Sequence, residues 1–248
     1  HYFDSALRRI CRKMFKKISQ RVYTKNLKIH TTLYCNSRND EPGRKGKYLY
    51  ISPVGSFGKP LLEKIIRSFG YDDFDYRIIA YEGTTFEEDI FRGCKIIKDT
   101  GLRWCTMKKH LTPELAEQYD YIFVWADDID IEGFDVTEFL DIMKRNHLVL
   151  AQPALSENSY FSHGITLRNN EERIGRFTDF VEIMVPVFMG RAWKWFYELI
   201  DPEICPWGWG LDELARSYCG YPAMGIIDCQ PVTHVRPVKQ NNRNGIEG

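Results

Sequence analysis

Short apolar segments alternate with segments of helical periodicity from residue 47 onward. Apolar runs of strand length occur at 47–51, 76–81, 121–125 and 148–151. Segments with the three- and four-residue spacing typical of helices lie at 60–69, 86–97, 113–118 and 137–146. Strands that alternate with helices favour a parallel arrangement. The sequence therefore predicts an α/β fold of the Rossmann-like, nucleotide-binding type, with a mixed, mainly parallel sheet flanked by helices.

The loops after the first three predicted strands carry residues suited to ligand contact. They are Val54-Gly55, Tyr81-Glu82-Gly83 and Asp127–Asp130. In open parallel sheets, ligands bind beyond the carboxyl ends of the strands. We therefore expect the three loops to surround one binding site.

Composition and charge narrow the functional classes. The 248 residues are 44% hydrophobic, which is enough for a core and excludes a disordered chain. The 34 basic and 34 acidic residues cancel, so nucleic acid is not an expected partner. Seven cysteines without a C-x-x-C pair predict neither a zinc site nor a disulfide framework. With no N-x-[ST] sequon, these features favour a cytoplasmic or membrane-peripheral location; the start at His1 leaves a removed Golgi-type anchor as the alternative.

The beginning of the chain differs from the rest. Residues 1–34 form a basic segment whose apolar residues follow helical spacing between 3 and 22. Such a helix lies on an anionic membrane surface or packs one face on the domain, and the second arrangement is favoured. Residues 35–46 are polar with Pro and Gly, which is typical of a linker. We predict a single domain over 47–240 and a polar tail over 241–248.

An apolar strand runs directly into the acidic cluster Asp127-Asp128-Ile129-Asp130. The buried strand would fix the backbone, and the carboxylates would project where the chain leaves the sheet. Mn²⁺ and Mg²⁺ take one or two protein carboxylates and complete their shells with substrate phosphates. The cluster is therefore a candidate metal site for chemistry with a leaving diphosphate. The alternative is a polar loop that caps the next segment.

A second constellation is the string Trp207-Gly208-Trp209-Gly210-Leu211-Asp212-Glu213. Two Trp residues separated by Gly can lay their flat faces against a sugar ring. Asp212 and Glu213 follow at a predicted helix start, where the helix dipole stabilises a charged carboxylate. Either is a candidate general base for an acceptor hydroxyl. The alternative is a Trp-rich core turn with an acidic cap.

His234 is a third candidate site residue. It follows a strand-like run, Met224–Asp228, near the end of the chain. Neutral imidazole can complete a Mn²⁺ site. A lone His is more often a hydrogen-bonded structural residue, so the residue by itself leaves both roles open.

The order of motifs resembles a known family. The matching segments extend over 47–238 and include Arg103-Trp104, Tyr119–Trp125, Gln152–Leu155, His163–Thr166, Val181–Phe188 and Trp209–Asp212. They are similar to plant, algal and bacterial proteins labelled lysine-ketoglutarate reductase trans-splicing related, which are regarded as glycosyltransferases of the GT-A type. Nothing in the sequence supports the trans-splicing label. The string Trp207–Glu213 is also similar to the W-G-W-G-x-(D/E)-(D/E) segment of β-galactosyltransferases.

The resemblance implies a GT-A-like catalytic domain and a particular set of metal ligands. The family has an acidic residue directly after the strand Trp, where this chain has Ala126. The D-x-D pair is therefore expected at Asp128 and Asp130, with Asp127 as a supporting or nucleotide contact. The likeness to β-galactosyltransferases implies His234 as the third ligand of Mn²⁺ or Mg²⁺.

The expected reaction is a single inverting displacement from a nucleotide sugar to a glycan hydroxyl. The donor is expected to be UDP-linked, with xylose slightly favoured over glucose or galactose. The remaining expected site residues are Val54, Gly55, Tyr81 and Glu82 around the nucleoside, Lys108 on phosphate or ribose, Asp212 or Glu213 as base, and Glu182, Trp207 and Trp209 around the sugars. The alternatives are a metal-dependent nucleotidyltransferase or phosphohydrolase, and a non-catalytic nucleotide- or glycan-binding module.

Overall fold

Strands from most of the chain join one sheet. The structure, a computed structural model, describes residues 47–169, 173–219 and 224–237. Within these residues the sheet has nine strands. In chain order they are β1 (Tyr48–Val54), β2 (Phe74–Ala80), β3 (Cys94–Lys98), β4 (Tyr121–Val124), β5 (Ile129–Asp130), β6 (Leu150–Leu155), β7 (Arg176–Phe177), β8 (Val187–Met189) and β9 (Met224–His234).

The sheet has a parallel half and a mixed half. β3, β2, β1 and β4 are neighbours in that order and run parallel. β8 lies antiparallel between β4 and β6, and β9 pairs parallel with β6. The short strands β5 and β7 pair antiparallel with β9. The predicted fold class, a mixed and mainly parallel α/β sheet flanked by helices, is confirmed.

Helices cover both faces of the sheet. They are α1 (Lys59–Phe69), α2 (Arg103–His110), α3 (Pro113–Ala116), α4 (Val136–Arg145), α5 (Trp193–Leu199) and α6 (Leu211–Cys219). Successive side chains of a strand point to opposite faces. In β1, Tyr50 therefore belongs to the core formed with α1 and α4, whereas Leu49 belongs to the core formed with α2, α5 and α6.

β1 is longer than the sequence predicts. The segment Ser52-Pro53 is expected to end the strand, yet β1 continues to Val54. β4 matches β1 only as far as the pair Ile51 and Val124, and beyond that point the described partner of β1 is β2. Proline is tolerated where one side of a strand needs no N–H donor. Pro53 therefore fits within β1, and the strand reaches the edge of the sheet where ligands are expected to bind.

The predicted helix at 86–97 is wrong. The structure has a short 3-10 turn at Asp89–Phe91 and the strand β3 at Cys94–Lys98. Ile96 and Ile97 pair with β2, and β-branched residues are favoured in strands. Pairing with an existing strand therefore outweighs the helical spacing of the apolar residues.

Predictions for both ends of the chain lie outside the described residues. They concern the basic segment 1–34 with its membrane contact at 3–22, the linker 35–46 and the tail 241–248. In the part of the chain that the structure describes, no helix has the length and apolar character needed to cross a membrane.

Candidate active site

Asp127 lies where the carboxyl ends of β1, β2 and β4 meet. Its carboxylate accepts hydrogen bonds from the Gly55 backbone N–H at 3.0 Å and from the Tyr81 hydroxyl at 2.7 Å. Gly58 has no room for a side chain, because a Cβ there would lie 2.5 Å from the Cβ of Asp127. The structure thus brings together residues of three loops that are far apart in the sequence.

Tyr81 closes one side of this group. A Cβ on Gly55 would lie 2.6 Å from Cζ of the Tyr81 ring, so the ring rests directly on the glycine. Burial raises the pKa of the Tyr81 hydroxyl, and the hydrogen bond to Asp127 raises it further, so the hydroxyl remains a donor. Val54 is buried beside it, and the exposed Glu82 has a left-handed backbone conformation with φ 55°.

Lys108 makes a structural contact. Its ammonium donates a hydrogen bond to the Tyr197 carbonyl oxygen at 2.6 Å and lies 3.7 Å over the centre of the Tyr197 ring. This contact ties α2 to α5. The expected contact of Lys108 with the phosphate or ribose of a nucleotide stays a prediction.

The pairing of β5 with β9 brings His234 to the acidic cluster. Ile129 is the ladder partner of His234, and Nε2 of His234 lies 3.1 Å from Oδ2 of Asp128. Nδ1 of His234 lies 2.7 Å from the Tyr160 carbonyl oxygen, so Nδ1 donates a proton and Nε2 faces the carboxylate. Burial disfavours the charged imidazole, but the contacts with Asp128 and Tyr160 outweigh it and raise the pKa of His234.

Asp128 and Asp130 each have one buried oxygen that lacks a partner. Oδ2 of Asp130 pairs with the Lys64 ammonium of α1 at 3.0 Å. The Oδ1 atoms of both aspartates have no hydrogen-bond partner among the described residues. Such oxygens suit a hard cation, because a buried charge without a partner is costly. Asp128 and His234, 3.1 Å apart, would be able to hold the same ion.

The three predicted metal ligands are not all close enough to one another to bind a single ion. Over the described residues, no three His, Cys, Asp or Glu side chains are grouped closely enough to hold a metal ion. The Asp130 carboxylate pairs with Lys64, whose side chain is 58% exposed. Exposed ion pairs are weak. The structure therefore brings Asp128 and His234 together and leaves Asp130 paired with Lys64.

A partly buried arginine lies near the acidic cluster. The Arg103 guanidinium donates to the carbonyl oxygens of Val124, at the end of β4, and of Met184, the latter at 3.1 Å. Burial lowers the pKa of Arg103 to about 10, and the charges of Asp128 and Glu182 oppose this shift. Arg103 is therefore charged at neutral pH and offsets the repulsion between the carboxylates.

Glu182 and His163 lie between the acidic cluster and α6. Oε1 of Glu182 lies 3.3 Å from Nδ1 of His163, and the Glu182 backbone N–H donates to Gln152 at 2.6 Å. The hydrogen bond to Glu182 raises the pKa of His163 against the effect of burial. The charges of Asp212 and Glu213 raise the pKa of His163 further. The imidazole is thus in electrostatic contact with three carboxylates.

Asp212 is buried at the start of α6, whereas Glu213 is partly exposed. The Asp212 carboxylate accepts a hydrogen bond from the Glu213 backbone N–H at 3.0 Å. Burial raises the pKa of Asp212 to about 6, although the charge of His163 opposes the shift. A carboxyl group with such a pKa suits proton transfer near neutral pH. Of the two candidate bases, Asp212 has the more suitable environment.

Trp207 and Trp209 project from the loop before α6. They are 51% and 42% exposed. Their ring planes are inclined by 20°, with the centroids 6.3 Å apart. This exposure argues against a Trp-rich core turn and suits a surface for sugar rings.

The Gly208→Ala change is expected to destabilise the protein more than Gly133→Ala does. Both glycines have φ 76°, so alanine costs each about 1–2 kcal/mol of backbone strain. At Gly208 a Cβ would also lie 2.2 Å from Cδ1 of Trp104, whereas nothing lies within 4 Å at Gly133. We expect an additional loss of about 1–3 kcal/mol in the free energy of unfolding, measured by urea denaturation. Equal losses would contradict the packing of this loop on Trp104.

Arg103 and His163 are site residues to which the sequence gives no role. Both lie in segments that carry the family resemblance, but neither belongs to a motif with a functional spacing. Arg103 begins α2, and His163 lies in the loop after β6. The one local signal is that Arg103 stands next to the large apolar residue Trp104, since a cation held close to a core needs acidic partners.

Two solved structures are similar to this chain. GalNAc-T7 with UDP, GalNAc and Mn²⁺ has a TM-score of 0.52 and 9% sequence identity, over 78% of this chain and 44% of that one. S. aureus TarS 1–349 has a TM-score of 0.48 and 11% identity, over 75% of this chain and 59% of that one. The chain thus spans about half the length of the structures it matches. At these identities the likeness concerns the fold alone, and the expected GT-A-like fold is confirmed.

A search of curated proteins finds no match to this chain. The profile of a family described as a protein of unknown function (DUF707) matches residues 11–245. This match includes every residue of the candidate site. The chain therefore belongs to the DUF707 family.

Proposed function

We propose that this protein is a metal-dependent, inverting glycosyltransferase that moves a sugar from a UDP-linked donor to a hydroxyl of a glycan. The proposal rests on one observation, the arrangement of two acidic groups around Glu182 at the ligand-binding edge of the sheet. Nε2 of His234 lies 3.1 Å from Asp128, and Nδ1 of His163 lies 3.3 Å from Glu182, two residues before Met184, whose carbonyl oxygen binds the Ala126 N–H. Asp212 is buried at the start of α6. A diphosphate and an acceptor hydroxyl can therefore be bound on opposite sides of one sugar. The fold it shares with a protein solved with UDP, GalNAc and Mn²⁺ supports this donor class.

The residues that would hold Mn²⁺ or Mg²⁺ are Asp128, Asp130 and His234. The unpartnered carboxylate oxygens of the two aspartates are ligands that these ions accept. The same is true of the imidazole nitrogen of His234 that faces Asp128. When bound, the ion would supply Lewis-acid assistance to the departure of the diphosphate. Asp127 has a different task, because its hydrogen bonds fix the Gly55 loop and the Tyr81 ring beside the nucleotide.

Asp212 is the proposed base. It takes the proton of the acceptor hydroxyl as that oxygen attacks the anomeric carbon of the donor sugar. Its buried position excludes water, and its pKa of about 6 leaves it mostly ionised at neutral pH. Trp207 and Trp209, which precede Asp212 in the chain, offer their ring faces to the glycan acceptor.

A non-catalytic module that binds nucleotide or glycan is the second candidate function. Ala126 stands where the resembling family has an acidic residue, and Lys64 pairs with one oxygen of Asp130. Both features weaken the case for a tightly held catalytic metal.

Calorimetry followed by a turnover assay separates the two functions. For the enzyme we expect UDP to bind more tightly when Mn²⁺ is present, and a nucleotide sugar to be consumed with release of UDP. Binding of UDP without any turnover, across a panel of nucleotide sugars and glycan acceptors, would favour the module. Absence of UDP binding in both conditions would reject the proposed donor class.

A further inference from the structure

Glu182 has a buried carboxylate oxygen that lacks a partner. Its side chain is almost fully buried, with 4% of the residue exposed. Oε1 faces Nδ1 of His163, but Oε2 has no hydrogen-bond partner among the described residues. The backbone N–H is held by Gln152 at 2.6 Å, which fixes the position of the residue. A buried acceptor of this kind costs free energy unless a ligand supplies a donor.

The position of Glu182 lies between the two halves of the proposed site. On one side, the nearby Met184 carbonyl oxygen accepts hydrogen bonds from the Ala126 N–H at 3.0 Å and from Arg103 at 3.1 Å. The residues after Glu182 therefore run beside the chain that enters the acidic cluster. On the other side, His163 joins Glu182 to the carboxylates of α6 through its charge. In a direct displacement, this is the space between the leaving diphosphate and the attacking hydroxyl.

The charges that face this space are mostly negative. Glu182, Asp212 and Glu213 carry three carboxylates, and the His163 imidazole lies 3.3 Å from Glu182. Arg103 is already engaged by two backbone carbonyl groups and lies beside Asp128. A sugar hydroxyl can donate to the unpartnered Glu182 oxygen, whereas a sugar carboxylate would meet like charges. Like charges brought together at a binding site weaken binding.

Resting on the proposed function, we infer that Glu182 accepts a hydrogen bond from a hydroxyl of the transferred sugar and makes the site selective for neutral sugars over uronic acids. His163 lies 3.3 Å from the other carboxylate oxygen, so Oε2 is the oxygen left to accept a hydrogen bond. The selectivity arises from charge, so it should depend on the negative charge of Glu182 and much less on the size of the side chain.

The test uses UDP, UDP-glucose and UDP-glucuronate as probes, each titrated calorimetrically in the presence of Mn²⁺. The two sugar nucleotides differ only at the sixth carbon of the sugar. We expect the unaltered protein to bind UDP-glucose at least about tenfold more tightly than UDP-glucuronate. Glu182→Gln, which keeps size and removes charge, should reduce this ratio to about threefold or less. Glu198→Gln, on an exposed position of α5, is the matched control and should leave the ratio unchanged.

The affinity for UDP itself distinguishes failure of the proposed donor class from failure of the inference on Glu182. If UDP does not bind, the proposed donor class fails together with the inference. If UDP binds equally well to both proteins, the Gln variant is folded and the sugar ratios are decisive. Equal affinity of the unaltered protein for the two sugar nucleotides would then overturn the inference alone. A ratio that Glu182→Gln leaves unchanged would also overturn it, since selectivity would come from another residue.

Discussion

The Asp212→Asn variant is expected to transfer sugar about 10²–10⁴ times more slowly than the unaltered protein, because a general base contributes a factor of this size. The amide retains an oxygen that can accept the Glu213 backbone N–H, so the start of α6 should keep its structure. We therefore expect kcat to fall while the affinity for UDP with Mn²⁺ is unchanged. Steady-state kinetics and calorimetry measure the two quantities.

The pH dependence of the rate identifies which carboxylate acts. Asp212 has a pKa of about 6, and a base works only in its deprotonated form. The rate should therefore fall about tenfold per pH unit below pH 6. The partly exposed Glu213 serves as the control, because Glu213→Gln should preserve this profile. A profile that survives in Asp212→Asn and disappears in Glu213→Gln would transfer the role to Glu213.

The same Asn substitution should also stabilise the fold at neutral pH. The pKa of Asp212 is about 6 in the folded chain and 3.8 as a reference, so the folded state binds the proton more tightly. Stability is consequently lost as the pH rises from about 4 through about 6. Asn removes this penalty, which is about 3 kcal/mol at pH 8. Urea denaturation at pH 4 and pH 8 should show a gain for the variant at pH 8 only.

Asp128→Ala is expected to abolish the effect of Mn²⁺ on UDP binding and to reduce transfer at least about a hundredfold. Metal assistance is worth several kcal/mol, and each 1.4 kcal/mol changes a rate about tenfold. The substitution removes the carboxylate that contacts His234 and one of the two unpartnered buried oxygens of the acidic cluster, Asp127–Asp130. Titration of Mn²⁺ into the variant, followed by UDP, measures the loss.

The exposed Asp72 provides the comparison for this experiment. Asp72→Ala removes the same side-chain atoms at a position outside the site and should leave Mn²⁺ and UDP binding intact. Full activity and full nucleotide affinity of Asp128→Ala in Mn²⁺ would show that the metal assignment is wrong. Loss of Mn²⁺ binding with intact transfer would show that the reaction does not use the metal.

The sequence predicts those parts of the fold in which local pattern and tertiary structure agree. The apolar strand before Asp127 has few ways to be buried other than in the middle of a sheet, so its position could be inferred. At 86–97, in contrast, the apolar spacing suits a helix, and only the neighbouring strand β2 converts Ile96 and Ile97 into strand residues. A single segment contains no information about such a neighbour.

Some residues of the candidate site could likewise be predicted from the sequence, and others could not. Gly55, Tyr81 and Asp127 could be grouped from the sequence, because parallel strands deliver their carboxyl ends to one edge. The partner of Lys108 could not be inferred, because the basic residue is bound by a carbonyl oxygen 89 positions further along the chain. The role of Arg103 could not be inferred either, because it depends on the acidic side chains that come near it only in the folded chain. The roles proposed for Asp128, Asp130, His234 and Asp212 remain predictions until the variants are measured.

The exposed residues Trp207 and Trp209 allow ligand binding to be followed by the intrinsic fluorescence of the protein. The chain has six tryptophans, of which Trp104, Trp125 and Trp193 are fully buried. A water-soluble quencher such as acrylamide reaches exposed indoles before buried ones, so its effect on the fluorescence comes largely from the loop beside Asp212. A glycan that covers these rings would protect them from the quencher. Acceptors can therefore be screened by light emission alone, before the donor sugar is known.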